Sequence, residues 1–314
     1  MPITVSYGRS RFRQWLFRIR QSLPRGLRLR VWQRNARAVM AAYPAQAPQP
    51  LFQSIELETR TRCNSSCAFC AASIQNDQRP DIRMPDALYD KLLTELAGIG
   101  YAGTLKFFVN NEPLLDPRTV AWIALAKARV PDIRTEVHTN GLKLNVSNGR
   151  ELMEAGLDCL YINNYSNEDK LHRGVLAFLA EVAPAYADRE IHCQMRRLDD
   201  QLLNRGGTAP NGQSIPQPLP LPCVLPFEEV VVTADGRVTI CCQDHNFDAA
   251  VGNLNQQTLQ EIWFGEGFTQ LRKRLREADR TGNAFCQACD FKGYKDEHLR
   301  PGQRLLNRLV GDLW

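Results

Sequence analysis

Cys63, Cys67 and Cys70 put three thiols on one short stretch, Cys63-Asn64-Ser65-Ser66-Cys67-Ala68-Phe69-Cys70. Thiolates are the usual ligands of iron–sulfur clusters. Three of them can hold three irons of a cubane and leave the fourth open to another molecule. Zinc is the alternative, but it usually takes four ligands, commonly as two paired-cysteine arms. A C-x3-C-x2-C triplet does not supply them. A second group, Cys223, Cys241, Cys286 and Cys289, is spaced C-x17-C-x44-C-x2-C, with Cys242 beside Cys241. On spacing alone it suits a structural zinc knuckle as readily as a cluster. The chain has ten cysteines, is not short and opens with no signal-peptide pattern, which points to metal or redox chemistry before disulfides.

The elements that must position these thiols alternate. Strands are expected at Gln53–Glu58, Thr104–Val109, Arg134–His138, Cys159–Asn163 and Glu190–Met195, with a weak sixth near Gln201–Gly206. Helical patterns fall near 85–98, 117–129, 147–155 and 173–185. This rhythm predicts an α/β fold of βαβ units, a partial (β/α)6 TIM-like barrel, because the strands are too few to close eight. The first triplet then sits on the loop after the first strand, at the end of a barrel that carries chemistry. After a Gly/Pro-rich linker at 206–222, Glu229–Thr233 and Arg237–Cys241 flank an Asp235-Gly236 turn and read as a hairpin. A helix from about Leu259 to Ala278 follows. The expected organisation is a basic amphipathic segment with a Pro-rich linker (1–50), a core (51–205), the linker (206–222), a hairpin-plus-helix module (223–293) and a tail (294–314).

The triplet, with the aromatic Phe69 before its last cysteine, resembles the signature of the radical S-adenosylmethionine (SAM) superfamily. In that family the amino and carboxylate groups of SAM bind the open iron of a [4Fe–4S] cluster. Reductive cleavage yields methionine and a 5′-deoxyadenosyl radical that abstracts hydrogen from substrate. Asn110-Asn111-Glu112-Pro113 resembles the family's Gly-Gly-Glu-Pro motif, where backbone and Glu receive the SAM amino group, although asparagines replace both glycines. His138-Thr139-Asn140-Gly141 resembles a Thr-Asn-Gly found at the same place, so Asn140 is a candidate for the ribose or methionine of SAM; a plain Asn-Gly turn is the alternative. Ser166, past the next strand, is a further candidate. Cys223, the Ala234-Asp235-Gly236 turn, Cys241, Gly252-Asn253-Leu254, Glu261-Ile262-Trp263 and the Cys286/Cys289 pair are similar to the SPASM/twitch extension of these enzymes. The resemblance implies an auxiliary [4Fe–4S] cluster on Cys223, Cys241, Cys286 and Cys289, with Cys241 favoured over Cys242 on the family's spacing.

The reaction that ends the radical is less legible. The expectation is an oxidoreductase dehydrogenating a carbohydrate-like metabolite, with the auxiliary cluster as electron acceptor and an external donor such as flavodoxin or ferredoxin. The alternatives are epimerisation or cross-linking of a peptide and, from another class, a zinc-stabilised nucleic-acid-binding protein. An epimerase needs a thiol hydrogen donor, for which Cys242, Cys193 and Cys159 are candidates, each against the plain reading of a packed cysteine. Arg196 is a candidate for substrate contact, Tyr161 and Tyr165 are expected to pack, and Asn204-Arg205-Gly206-Gly207 reads as a joint at the cavity floor.

Residues 1–43 carry ten arginines and no acid, so the remainder is net acidic although the whole chain is +5. Phe12, Trp15, Leu16, Ile19 and Leu23 fall near helical spacing among them. Such a helix can pack on its own barrel, meet an anionic membrane or acidic partner through residues 9–37, or act as a transit segment. Nucleic acid is disfavoured. No apolar run reaches membrane-spanning length, and the expected location is the cytoplasm, with peripheral membrane contact open.

Overall fold

The structure, a computed structural model, describes residues 4–6, 24–45, 49–168 and 170–310. Its centre is a single open sheet. The strands are β1 (Thr4–Ser6), β2 (Ser54–Leu57), β3 (Thr104–Phe107), β4 (Arg134–Thr139), β5 (Cys159–Tyr165), β6 (Glu190–Arg196), β7 (Glu229–Val232), β8 (Arg237–Thr239) and β9 (Ala250–Asn253). They lie in the order β1-β6-β5-β4-β3-β2-β7-β8-β9. From β2 to β6 every neighbouring pair is parallel and each crossover carries a helix: α2 (Asp86–Gly98), α3 (Thr119–Arg129), α4 (Val146–Glu154) and α5 (Arg173–Glu181). The partial barrel expected from the sequence is present and its sheet is not closed.

The strands have two different faces. Ile55, Leu57, Leu105, Phe107, Val137, Leu160, Ile162 and Ile191 point to the helices and form one buried cluster with them. The alternate positions, Glu56, Lys106, Glu136, His138, Tyr161, Asn163, His192, Gln194 and Arg196, point into the concave side. A period of two separates the faces because successive strand side chains alternate. The concave face is therefore polar along its whole width.

Three expectations change. The weak strand near Gln201–Gly206 is absent; the chain there is irregular and ends in one tight turn at Arg205–Gly207. The edge beyond β2 is taken instead by β7, which pairs with it in parallel from Ser54↔Glu229 to Leu57↔Val232 before turning back into β8. The hairpin after the linker thus continues the core sheet rather than standing apart. The long helix expected from Leu259 is two, α7 (Leu259–Phe264) and α8 (Glu266–Arg276), broken at Gly265. Gly265 is extended there, and a Cβ would fall 2.7 Å from the Glu261 carbonyl oxygen. A short α6 (Leu225–Glu228) leads into β7, and α9 (Ala284–Ala288) carries Cys286.

The apolar positions Phe12 to Leu23 lie outside the described residues. The arginine-rich segment does contain a helix, α1 (Arg25–Met40), which packs on the linker and the module rather than on the barrel helices. Trp32, Ala36, Val39 and Met40 meet Leu219, Leu221, Val224, Phe227, Tyr294 and Leu299, while Arg25, Arg30, Arg34 and Arg37 stay exposed. Asn35 donates to the Tyr294 hydroxyl, which donates to Asn307 of the last helix, α10 (Pro301–Val310). Trp32 is fully buried at the centre of this cluster. Trp32→Ala is expected to destabilise the protein by about 3–5 kcal/mol, the range for deleting a buried indole, read as a lower midpoint of urea unfolding. Among the described residues no helix is long and apolar enough to cross a membrane.

Candidate active site

The C-terminal ends of β2 to β6 surround a cavity of about 750 Å³. Cys63, Cys67 and Cys70 lie on one side of it, and Cys242 and Gln243, which follow β8, on another. Burial pushes the Cys63 thiol up to about 12 and Cys67 to about 11, so without a metal both are neutral thiols. The loop presents donors to them: Ser65 N–H lies 3.4 Å from Cys63 Sγ, the Ser65 hydroxyl 3.0 Å from Cys67 Sγ, and Asn140 Nδ2 3.6 Å from Cys63 Sγ. Donors aimed at sulfur suit a thiolate bound to metal.

Glu112 is not a solvated loop acid. It is buried, and its Oε1 accepts from Leu114 N and Thr139 Oγ1 while Oε2 accepts from Asn140 N at 2.7 Å. Burial raises it to about 7, opposed by those three donors. Glu112 thereby ties the end of β3 to the end of β4. Asn140 passes the tie on through Nδ2 to Asn64 Oδ1 at 2.9 Å, so this turn braces the cysteine loop. Gly141 permits it: φ is +77°, and a Cβ would meet Val175 at 2.7 Å.

The two asparagines in place of glycines have jobs of their own. Asn111 closes its turn by accepting from Val109 N and reaches Thr59 Oγ1. Asn110 is buried; it donates to the His245 carbonyl and accepts from Arg205 Nη2 at 2.9 Å. Its own carbonyl accepts from Arg79, which also pairs with buried Glu58 at 2.8 Å. Asn110 therefore stitches the core to the joint at Arg205–Gly207. Three consecutive left-handed residues, Arg205, Gly206 and Gly207, turn the chain there, and Arg205 also donates to the Cys242 carbonyl.

Other expected residues divide. Phe69, Asn111, Asn140, Arg196 and Cys242 line the cavity; Phe69 is buried and packs on Tyr165 at 5.6 Å between ring centres. Ser166 does not line it. Its N–H donates to the Arg196 carbonyl and its hydroxyl accepts from Glu168 N, closing a turn. Cys193 is buried among the helices on the outer face. Cys159 is buried on the inner face, near Glu190 and His192 and away from the cavity lining. Tyr161 and Tyr165, expected merely to pack, both line the cavity. Both also pack, Tyr165 on Phe69 and Tyr161 against His138 and His192; a tyrosine on an inner strand face reads the same whether that face is filled or open.

The second cysteine group forms its own small apolar space. Cys223, Cys241, Cys286 and Cys289 line it with Ile240, Leu275, Phe285 and Phe291, and Cys242 does not. Asn283 caps α9 by accepting from Phe285 N and Cys286 N, which fixes Cys286. Phe291 N–H lies 3.4 Å from Cys289 Sγ, and the buried Arg280 holds the Cys289 carbonyl. Four thiols converging on one small apolar space are a donor set suited to an iron–sulfur cluster.

The sequence matches the model of the radical SAM superfamily over residues 57–178 and that of an iron-sulfur cluster-binding domain, SPASM, over residues 223–290. The S-adenosyl-L-methionine-dependent 2-deoxy-scyllo-inosamine dehydrogenase of Niallia circulans is 31% identical over 242 residues, covering 76% of this chain and 93% of that protein. The chain belongs to the radical SAM superfamily. Among solved structures, BtrN in complex with AdoMet and 2-DOIA superposes with a TM-score of 0.68 at 28% identity, covering 78% of this chain and 95% of that one. Native anSMEcpe with bound AdoMet, at 12% identity, 69% and 82% coverage and a TM-score of 0.51, shares the fold. This radical SAM enzyme is an oxidoreductase whose cofactors are [4Fe–4S] clusters, one of them auxiliary, and S-adenosylmethionine. The zinc-stabilised nucleic-acid-binding alternative is set aside.

Proposed function

We propose that the enzyme dehydrogenates an alcohol of a carbohydrate-like small molecule of the aminocyclitol kind. In this reading Cys63, Cys67 and Cys70 hold the cluster that binds SAM, and Cys223, Cys241, Cys286 and Cys289 hold the auxiliary cluster. Bound there, the first cluster and SAM supply the 5′-deoxyadenosyl radical, and the second accepts an electron. The observation that carries the reading is the cavity beside Cys63, Cys67 and Cys70, whose lining residue Gln243 also lines the space of the second cysteine group. Asn163, Gln194, Arg196, Gln201, Arg205 and Gln243 line the cavity with donors and acceptors suited to several hydroxyls. Its volume suits one small polyol beside SAM. The similarity to an aminocyclitol dehydrogenase supports the same class.

Cleavage of SAM consumes an electron, so an external donor such as flavodoxin or ferredoxin belongs to the proposal. The exposed arginines of α1, on a helix without an acid, are the surface proposed for an acidic partner.

Cys242 in the cavity lining supports a second reading, epimerisation with a thiol as hydrogen donor. Anaerobically reconstituted protein incubated with 2-deoxy-scyllo-inosamine in deuterated water separates the two. Dehydrogenation is expected to give a ketone lacking two hydrogens, about one 5′-deoxyadenosine per ketone and no deuterium on carbon. Deuterium entering at carbon, or stimulation by peptides alone, would sink the dehydrogenase reading.

A further inference from the structure

Four rings form a ladder across the polar face of the sheet. Phe108, just past β3, stacks on His138 of β4 with ring centres 3.8 Å apart and planes 12° from parallel. His138 meets Tyr161 of β5 at 4.5 Å, and Tyr161 stacks on His192 of β6 at 4.5 Å. Phe108, His138 and Tyr161 line the cavity. Rings on both sides fix the plane of the His138 imidazole, and its Nε2 is hydrogen-bonded to the Glu136 carboxylate two residues back on the same strand. Among the described residues nothing hydrogen-bonds its Nδ1.

A carboxylate on Nε2 makes that nitrogen the N–H and leaves the lone pair on Nδ1. Burial lowers the His138 pKa further than Glu136 raises it, with Lys106 and His192 also opposing the charge, so the ring is neutral at pH 7. The groups facing it are Glu136 on its own strand, Lys106 on β3, Tyr161 on β5 and His192 on β6. Other lining groups make poorer bases. Arg196 and Arg205 carry guanidinium groups without a basic lone pair. The Tyr161 phenol is pushed up to about 12 by burial, and both oxygens of Glu112 are occupied by protein donors.

We propose that His138 Nδ1 is the proton acceptor for the substrate hydroxyl, with Glu136 as its positioning residue. The inference rests on the dehydrogenase reading. Loss of a hydrogen atom from the carbinol carbon to the 5′-deoxyadenosyl radical leaves a carbon radical that still bears its O–H. Forming C=O breaks the O–H bond and releases one proton and one electron. The proton goes to His138 Nδ1, and the electron to the auxiliary iron–sulfur cluster. The imidazolium so formed is stabilised by Glu136, and the ladder holds the plane of the ring, which lines the cavity, while the charge appears.

The test uses reconstituted holoenzyme with 2-deoxy-scyllo-inosamine as the probe. H138N is expected to keep its iron and its 5′-deoxyadenosine formation while ketone formation falls roughly 10²–10⁴-fold, the usual contribution of a general base. A carbon-centred radical should then accumulate in its EPR spectrum. E136Q removes the group that raises the His138 pKa, so the acid limb of its pH–rate profile should move to lower pH, which a purely structural role would not do. In the oxidised holoenzyme labelled with ¹⁵N-histidine, one Nδ1 resonance should be at the unprotonated position at pH 7 and be missing in H138N. Ketone formation by H138N at the wild-type rate, or a protonated Nδ1, overturns the assignment alone. Wild-type enzyme that forms no ketone overturns the dehydrogenase reading and the assignment with it.

Discussion

Cys63→Ala is expected to abolish 5′-deoxyadenosine formation while the auxiliary cluster is retained. Iron in the reconstituted protein should fall from about eight to about four per chain, and SAM cleavage under dithionite should drop by at least about a thousandfold. The size of the effect follows from what Cys63 supports. Loss of a hydrogen-bond partner behind a metal ligand costs roughly 10–100-fold in affinity or activity; loss of the ligand itself removes one of three protein attachments to the cluster. No other thiol is placed to substitute, because the remaining cysteines lie in the auxiliary space, in the core or across the cavity. Asn140 makes the control. Asn140→Ala deletes the contacts to Asn64 Oδ1 and Cys63 Sγ but leaves the backbone N–H that Glu112 holds. It should lose activity within that smaller range and keep its cluster. If Cys63→Ala cleaves SAM at the wild-type rate, the ligand assignment is wrong.

Much of this site was legible because its chemistry is written in local spacing. Cys63, Cys67 and Cys70 are close in sequence, so one loop delivers them whatever the rest of the chain does. Glu112 and Asn140 were found through the resemblance of their motifs to those of the radical SAM family, at strand ends that converge on one edge of a βαβ fold. What the sequence left open are relations between strands far apart in the chain. Parallel pairing of β7 with β2 joins residues separated by more than half the chain, and no local pattern encodes it. The inner face was partly legible. Ser54-Ile55-Glu56-Leu57, Leu105-Lys106-Phe107 and Thr135-Glu136-Val137-His138 each set a charged or polar residue against apolar neighbours at a period of two. In strands covered by helices, that alternation marks a polar interior, and reading it across strands would have singled out Glu136 and His138.

That polar interior also shows where charge is held. Glu56 and Glu229 are buried side by side under the cavity, with Lys106 3.6 Å from Glu56 and Lys295 3.3 Å from Glu229. Burial, then the neighbouring Glu229, drives Glu56 upward, and the lysines oppose it. Removing one partner from such a group leaves an uncompensated buried charge, which is costlier than losing the whole set. The backbone N–H of Cys242 donates to Glu229, so these charges fix the chain that separates the two cysteine sites.

Cys241→Ala and Cys242→Ala are therefore expected to differ sharply although the residues are adjacent. Cys241 is buried in the apolar space shared with Cys223, Cys286 and Cys289, and burial followed by the neighbouring thiols pushes its own thiol well up. Only metal binding makes a thiolate favourable in such surroundings. Cys241→Ala should lose about four irons and cut ketone formation at least about a hundredfold, while uncoupled SAM cleavage continues at the intact first cluster. Cys242 lines the large cavity instead; Arg205 and Glu229 hold its backbone, while its Sγ lies within 4.8 Å of the Glu56 and Glu229 carboxylates and accepts from Gln243 Nε2 at 3.6 Å. Cys242→Ala should keep all its iron and leave ketone formation within a few-fold of wild type, because dehydrogenation needs no thiol donor. Iron content and the ratio of ketone to 5′-deoxyadenosine read both variants. Loss of iron from Cys242→Ala with full retention in Cys241→Ala would reverse the ligand assignment. Full iron with no turnover in Cys242→Ala would instead make that sulfur part of the chemistry and move the reaction toward epimerisation.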